Sequence, residues 1–232
     1  TNGFWTERIV KVARKNPSIG VRISIEGLPK ANDELRGIKD GFDYGMRTLL
    51  QLYDLRMKDI GFGITVSDRN AKDLLELYSL ARAMGLEFAT AAVHNTYYFR
   101  KFDNRFENPD LAAAEFKKLI CELLRSKKVK DWFRAYLNYG LVNYIYGRPR
   151  LLPCGAGRDV FFVDPYGEVR PCNGMVVSMG SIKVNSFEKI WRSREAEEVR
   201  KKVTNCKSNC WMVGTVAPAM KRNISVPVMW IL

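Results

Sequence analysis

LPCGAGRDVFFVDPYGEVRPCNG, residues 152–174, and NCKSNCW, residues 205–211, together hold Cys154, Cys172, Cys206 and Cys210, four of the chain's five cysteines. Twelve residues separate Cys154 from Gly167, and four more lead to Cys172. Thiolates are soft ligands, and four from one segment satisfy either a cubane iron–sulfur cluster or a tetrahedral zinc ion. Two disulfides could use the same four residues, as could four separate buried thiols packing as small apolar side chains. Clustered cysteines in a chain without a secretory signal point instead to metal or redox chemistry. Each of the four sits beside Gly, Pro or Asn, where a turn can aim sulfur at a common point. Cys121, alone in a helical stretch, fits the buried-thiol reading better.

Between the first two cysteines, Asp164-Pro165-Tyr166-Gly167 has Pro at the second turn position and Gly at the fourth, the chemistry of a type I turn. Strands over 160–163 and 168–170 then form a hairpin that brings Cys154 and Cys172 toward each other at one end. A helix over 186–203 follows, with Ser186 near its start and Lys201 and Lys202 favourable at its C-terminal end. Cys206 and Cys210 come next, one helical turn apart, and Trp211 is read as a core contact or a cover over the site.

Upstream, the pattern changes. Residues 6–15 read as a helix with Thr6 as N-cap and Asn16-Pro17 as its stop. Over 20–27, Val21, Ile23 and Ile25 alternate with Arg22, Ser24 and Glu26, which puts apolar groups on one face and polar groups on the other. Helix over 40–57, strand over 60–66, helix over 70–84 ended by Gly85, and strand over 86–93 follow. Strands alternating with helices of this length imply parallel pairing in an α/β sheet, with ligands at the carboxyl ends of the strands. Ser24, Glu26, Thr65, Ser67, His94 and Asn95 fall there. His94 is the one histidine, which excludes a multi-histidine site within the chain; its place at a strand end suits a catalytic role, but a hydrogen-bonded wall residue is the favoured reading. Residues 110–146 are helical with a break near Ser126, and Gly147-Arg148-Pro149 marks the boundary between residues 1–147 and 148–232.

The 232 residues allow one large domain, or a medium and a small one, and 47% hydrophobic residues argue against disorder. No apolar run approaches the roughly 20 residues that span a bilayer. A soluble cytoplasmic protein is expected, with no membrane partner. Net charge is +13, in runs at 11–15, 125–130 and 200–202. That spread argues against nucleic acid as a partner, since such binding requires charge concentrated on one face.

Cysteine, twelve residues, glycine, four residues, cysteine, then a helix and a closing Cys-rich segment resembles the auxiliary-cluster (SPASM or twitch) domain of radical S-adenosylmethionine enzymes. The likeness covers residues 152–213, with Pro171-Cys172 and the Ile190-Trp191 helix where that family places them. Thr1-Asn2-Gly3, Ile23-Ser24-Ile25-Glu26-Gly27, residues 33–37 and the later βα units resemble the second half of that family's partial (β/α)6 TIM-like barrel. The resemblance implies an incomplete barrel over 1–147, followed by a small α+β SPASM/twitch domain with a hairpin and a helix over 148–232. It implies that Cys154, Cys172, Cys206 and Cys210 hold one auxiliary [4Fe–4S] cluster. It also implies that Ser24, Glu26 and, in the following loop, Arg36 contact S-adenosylmethionine. The intact enzyme would generate a deoxyadenosyl radical that abstracts hydrogen from a peptide, protein or small-molecule substrate, in peptide or protein modification or cofactor maturation. An electron donor such as ferredoxin or flavodoxin would serve it. The family's CxxxCxxC triplet does not occur in these residues, so the chain by itself is expected to lack cofactor cleavage and to be part of a longer protein. A non-catalytic iron–sulfur or zinc-binding docking module stands as the alternative.

Overall fold

A computed structural model describes residues 1–98 and 100–232. The chain divides into two compact units, residues 1–92 with 106–122, and residues 93–105 with 123–232. Both mix helices with sheet.

The first unit runs α1 (Thr6–Lys15), β1 (Val21–Ser24), α2 (Pro29–Arg36), α3 (Gly41–Asp54), β2 (Ile60–Val66), α4 (Leu74–Ala83), β3 (Glu87–Ala92) and most of α5 (Pro109–Leu124). Its three strands are parallel in the order β1-β2-β3, with Ile23 opposite Phe62 and Phe62 opposite Phe88. Parallel neighbours require crossovers, which α3 and α4 supply. Period two sends Ile23, Ile25, Phe62, Ile64 and Val66 into the core, where all are fully buried. Thr1 flanks β1 as a parallel neighbour would, donating its amine to the Arg22 carbonyl at 3.0 Å and accepting from the Ser24 N–H at 2.8 Å.

Three local expectations are corrected in this unit. Residues 29–36 are helical, with Pro29 in the first turn and Gly37 at φ 63° closing the end, so Arg36 lies in the last turn of α2 rather than in a loop. Trp5, not Thr6, is the N-cap of α1, and the Thr6 hydroxyl instead meets that of Thr48 at 2.6 Å. Cys121 is exposed, not a core thiol.

The second unit holds α6 (Val129–Ile145), the antiparallel strands β4 (Phe162–Val163), β5 (Glu168–Arg170) and β6 (Gly180–Ser181), then α7 (Phe187–Trp191), α8 (Arg194–Thr204), α9 (Val213–Arg222) and α10 (Ser225–Ile231). The Asp164–Gly167 turn closes with a 2.9 Å hydrogen bond from the Gly167 N–H to the Asp164 carbonyl, and Gly167 takes φ 84°, a conformation open to glycine. Asp164 also accepts from the Tyr166 and Glu168 N–H groups and pairs with Arg170 at 3.1 Å. Val169, Met179, Ile190, Ala196 and Val199 form the core beneath this sheet. The single helix expected over 186–203 is two, because the Ser193 hydroxyl accepts the Ala196 N–H at 3.0 Å and starts α8 anew. Gly147 does end the helical segment at φ 69°. The compact division nevertheless falls before α6, whose Tyr139 stacks on Trp230 of α10 while Tyr136 meets the same ring edge-on.

The fold also sorts the charge. The first unit carries 16 Lys and Arg against 16 Asp and Glu, whereas the second carries 22 against 9, so the whole excess of +13 belongs to the unit that holds Cys154, Cys172, Cys206 and Cys210. The charge is thus spread along the sequence but not between the units. Among the described residues no helix is long and apolar enough to cross a membrane.

Candidate metal centre

All four cysteines of the opening stretch lie in the second unit, and none is in a helix or strand. Cys154 sits in the loop before the hairpin and Cys172 in the turn after β5. Cys206 and Cys210 follow α8 in an irregular segment, rather than on a helical turn. Irregular backbone suits ligands, since each thiol can be aimed without the fixed directions of a regular element.

The thiols sense one another. Burial pushes Cys210 up to about 11, Arg150 opposes this, and repulsion from Cys154, Cys172 and Cys206 adds to it. Burial likewise raises Cys172, against the N–H groups of Gly174 and Met175, which hydrogen-bond its sulfur. Cys154 and Cys206 raise it further. Among the described residues no three His, Cys, Asp or Glu side chains are grouped as ligands of a single metal ion. Cys154, Cys206 and Cys210 face a groove of about 1190 Å³, whose charged lining is Arg150, Arg158, Lys207 and Arg222, with no carboxylate. Asp159 and Glu197 stand just behind it, paired with Arg222 at 2.5 Å and Arg158 at 3.8 Å.

The last thiol is held by long-range contacts that no local motif announces. The Arg150 guanidinium donates to the carbonyl of Cys210, to that of Leu152 at 2.9 Å and to the Thr215 hydroxyl at 3.3 Å. Trp211 is 2% exposed and donates its indole N–H to the Leu137 carbonyl at 2.8 Å. Its backbone N–H donates to Nε2 of His94 at 3.0 Å. His94 stacks on Tyr144 with ring centres 4.0 Å apart, and burial, with Cys210 adding, pushes the Tyr144 phenol up to about 12. His94 is therefore hydrogen-bonded, as the wall-residue reading expects. Arg150 was missed. Its partner lies 60 residues away, and the sequence offers only its place four residues before Cys154.

Ser24, Glu26 and Arg36 gather in the first unit at the carboxyl ends of β1 and β2. Arg36 donates to the Ser24 carbonyl at 3.0 Å and pairs with Glu26 at 3.3 Å, while Glu26 also accepts the Thr65 N–H at 2.6 Å. Asn70, unremarked in the sequence, braces this edge by donating to the carbonyls of Glu26 and Thr65 at 2.6 and 3.0 Å.

The family profile described as SPASM, an iron-sulfur cluster-binding domain, matches residues 154–211. Among curated proteins, the chain is 24% identical over 231 residues to an AdoMet-dependent heme synthase of Methanosarcina barkeri, covering 90% of this chain and 64% of that one. It is 23% identical to the sporulation killing factor maturation protein SkfB of Bacillus subtilis and 25% identical to the mycofactocin maturase MftC of Mycolicibacterium smegmatis. These matches cover 89% and 84% of this chain but 49% and 50% of those proteins. The chain thus spans about half to two thirds of these relatives' length. Its fold is similar to that of a solved structure titled native anSMEcpe with bound AdoMet, with a TM-score of 0.63 at 12% identity, covering 100% of this chain and 73% of that one. A second structure of that protein, carrying a polyhistidine tag, gives a TM-score of 0.60. Residues 154–211 therefore match an iron–sulfur cluster-binding domain of SPASM type, and most of the chain is similar to an AdoMet-dependent heme synthase and to two maturation proteins.

Proposed function

We propose that Cys154, Cys172, Cys206 and Cys210 hold one auxiliary [4Fe–4S] cluster, in the SPASM-bearing part of a radical S-adenosylmethionine protein that modifies a peptide or matures a cofactor. The observation that carries this reading is the placement of Cys154, Cys206 and Cys210 on one groove, with all four thiols on irregular backbone of the same unit. The donor set fits. Four thiolates complete a cubane cluster, and the Gly174 and Met175 N–H groups supply the hydrogen bonds to sulfur that tune such centres. Bound there, the cluster would supply a one-electron acceptor or donor. Its full coordination by cysteine leaves no open site for substrate and favours electron transfer or a structural role.

The chain's own residues do the rest. Arg150, Arg158, Lys207 and Arg222 offset the negative charge that four thiolates bring together. Buried Trp211 keeps water from one side of Cys210. At the first unit's sheet edge, in what we take as part of a (β/α)6 barrel, the Arg36–Glu26 pair presents both charges that an amino-acid-bearing cofactor needs, and Ser24 adds a hydroxyl. This assigns S-adenosylmethionine to Ser24, Glu26 and Arg36, the barrel function to residues 1–147 and the cluster function to 148–232. A peptide substrate is supported by the names of two relatives, which are maturation proteins.

The alternative, a non-catalytic module holding zinc, uses the same thiols. Anaerobic reconstitution with iron and sulfide, followed by metal analysis, separates them. A brown protein with about four irons per chain is the expected result. A colourless protein that retains one zinc and no iron refutes the reading.

A further inference from the structure

We propose that Arg150 and His94 are positioning residues for Cys210, gripping the peptide group between Cys210 and Trp211 from opposite ends, and that the Arg150 charge makes the bound cluster easier to reduce. The inference rests on the cluster reading above.

A peptide group is planar, so fixing its carbonyl and its N–H fixes the preceding Cα and the axis about which that residue's side chain can turn. Here both ends are fixed by side chains from distant segments. Arg150 donates to the carbonyl oxygen of Cys210, and Nε2 of His94 accepts the N–H of Trp211 at 3.0 Å. The same guanidinium reaches the Leu152 carbonyl, two residues before Cys154, and the Thr215 hydroxyl in α9. One planar fork therefore ties the loop of the first thiol to that of the last, which a lysine, with a single point of charge, cannot reproduce. Its central carbon lies 5.3 Å from the centre of the Trp211 ring, a cation–π contact that adds to its anchoring.

His94 accepts through Nε2, so its ring proton sits on Nδ1. The ring is kept in orientation by its parallel stack on Tyr144, whose own hydroxyl donates to the Val93 carbonyl at 3.0 Å. Asn104 donates to the His94 carbonyl at 2.9 Å, and Asn209, beside Cys210, donates to the Tyr144 carbonyl at 3.2 Å. Every partner of this clasp lies in the second unit.

The charge has its own consequence. Reduction adds one electron to a centre already carrying four thiolates, and a fixed guanidinium beside it favours the more negative state. His94 is neutral in this geometry and should act on position alone. The two roles are therefore separable.

The test compares wild type with R150Q, R150K, H94F and H94Q after anaerobic reconstitution, reading iron release to a chelator and a dithionite redox titration followed by electron paramagnetic resonance. At the wild-type midpoint, R150Q should show the ratio of reduced to oxidised cluster fall about tenfold, which is 59 mV for a one-electron couple. R150K should keep the midpoint near wild type but release iron faster. H94F should release iron faster at an unchanged midpoint, and H94Q, which restores an acceptor, should recover retention. Circular dichroism of each protein before reconstitution checks the fold, and if R150Q does not fold, R150K carries the test through its iron release. Wild-type midpoint and retention in R150Q, or wild-type retention in both R150K and H94F, would overturn the proposal while leaving the cluster reading intact. A wild-type protein that takes up no iron defeats both.

Discussion

Replacing Gly140 by alanine should destabilise the protein, although the same change in an open helix stabilises it. Gly140 lies within α6, where alanine is favoured over glycine by about 1 kcal/mol. A Cβ at this position would stand 2.0, 2.2 and 2.3 Å from three atoms of the Trp211 indole, far inside contact distance. The ring is fully buried and anchored through its N–H to the Leu137 carbonyl, so it has no free direction in which to retreat. Overpacking of this kind costs about 1–3 kcal/mol, and losing the indole hydrogen bond adds about 1. Set against the helical gain, the net loss is about 1–3 kcal/mol, or roughly 2–12 °C in melting temperature for a chain of this size. Gly214 in α9 is the control, because a Cβ there meets nothing within 4 Å, and Gly214→Ala should melt at or slightly above wild type. The clash is local to one ring, so adding Trp211→Phe to Gly140→Ala should cost less than the two single changes summed. Melting is followed by far-ultraviolet circular dichroism. A G140A protein that melts at or above wild type would refute the packing described around Trp211, and with it the rigid support of Cys210.

Other outcomes are equally direct. Burial alone would raise the Asp164 carboxyl, but the Glu168 N–H, the Arg170 guanidinium and the Tyr166 N–H outweigh it and hold it below its ordinary 3.8. Its folded value is then lower than its unfolded one, so its contribution to stability is complete above 3.8 and lost as pH falls through the folded value. The melting difference between wild type and D164N should shrink across that acid range, and a difference independent of pH would contradict the assignment. Cys121 is exposed on α5, so C121S should reconstitute with as much iron as wild type. C206S, lacking a thiol that faces the groove, should lose most of its iron under the same conditions. Equal iron in both variants would exclude Cys206 as a ligand.

Regular elements were legible because their signals are local. The alternation of Val21, Ile23 and Ile25, the apolar strand over Ile60–Val66 and the Asp164–Gly167 turn each depend on neighbours within a few residues, and the structure follows them. The spacing of the four cysteines was local in the same sense. What escaped has a common cause, in that it depends on partners far along the chain or on a short competing cap. Ser193 restarts a helix that periodicity would continue, and Pro29 starts one where the resemblance placed Arg36 in a loop. The basic residues looked dispersed in sequence, yet folding assigns segments 93–105 and 123–232 to one unit and so concentrates the entire excess there. Arg150 and Asn70 act through carbonyls contributed by distant segments, 60 and 44 residues away. No pattern in their own neighbourhoods reveals that.

The central claim is that four cysteines grip one iron–sulfur centre, and Mössbauer spectroscopy of protein reconstituted with ⁵⁷Fe tests it most directly. A single [4Fe–4S] signature accounting for all bound iron, at about four irons per chain and collapsing when any of Cys154, Cys172, Cys206 or Cys210 is replaced by serine, is the expected result. Iron that binds without that signature, or a signature that survives in one of the four variants, would contradict it.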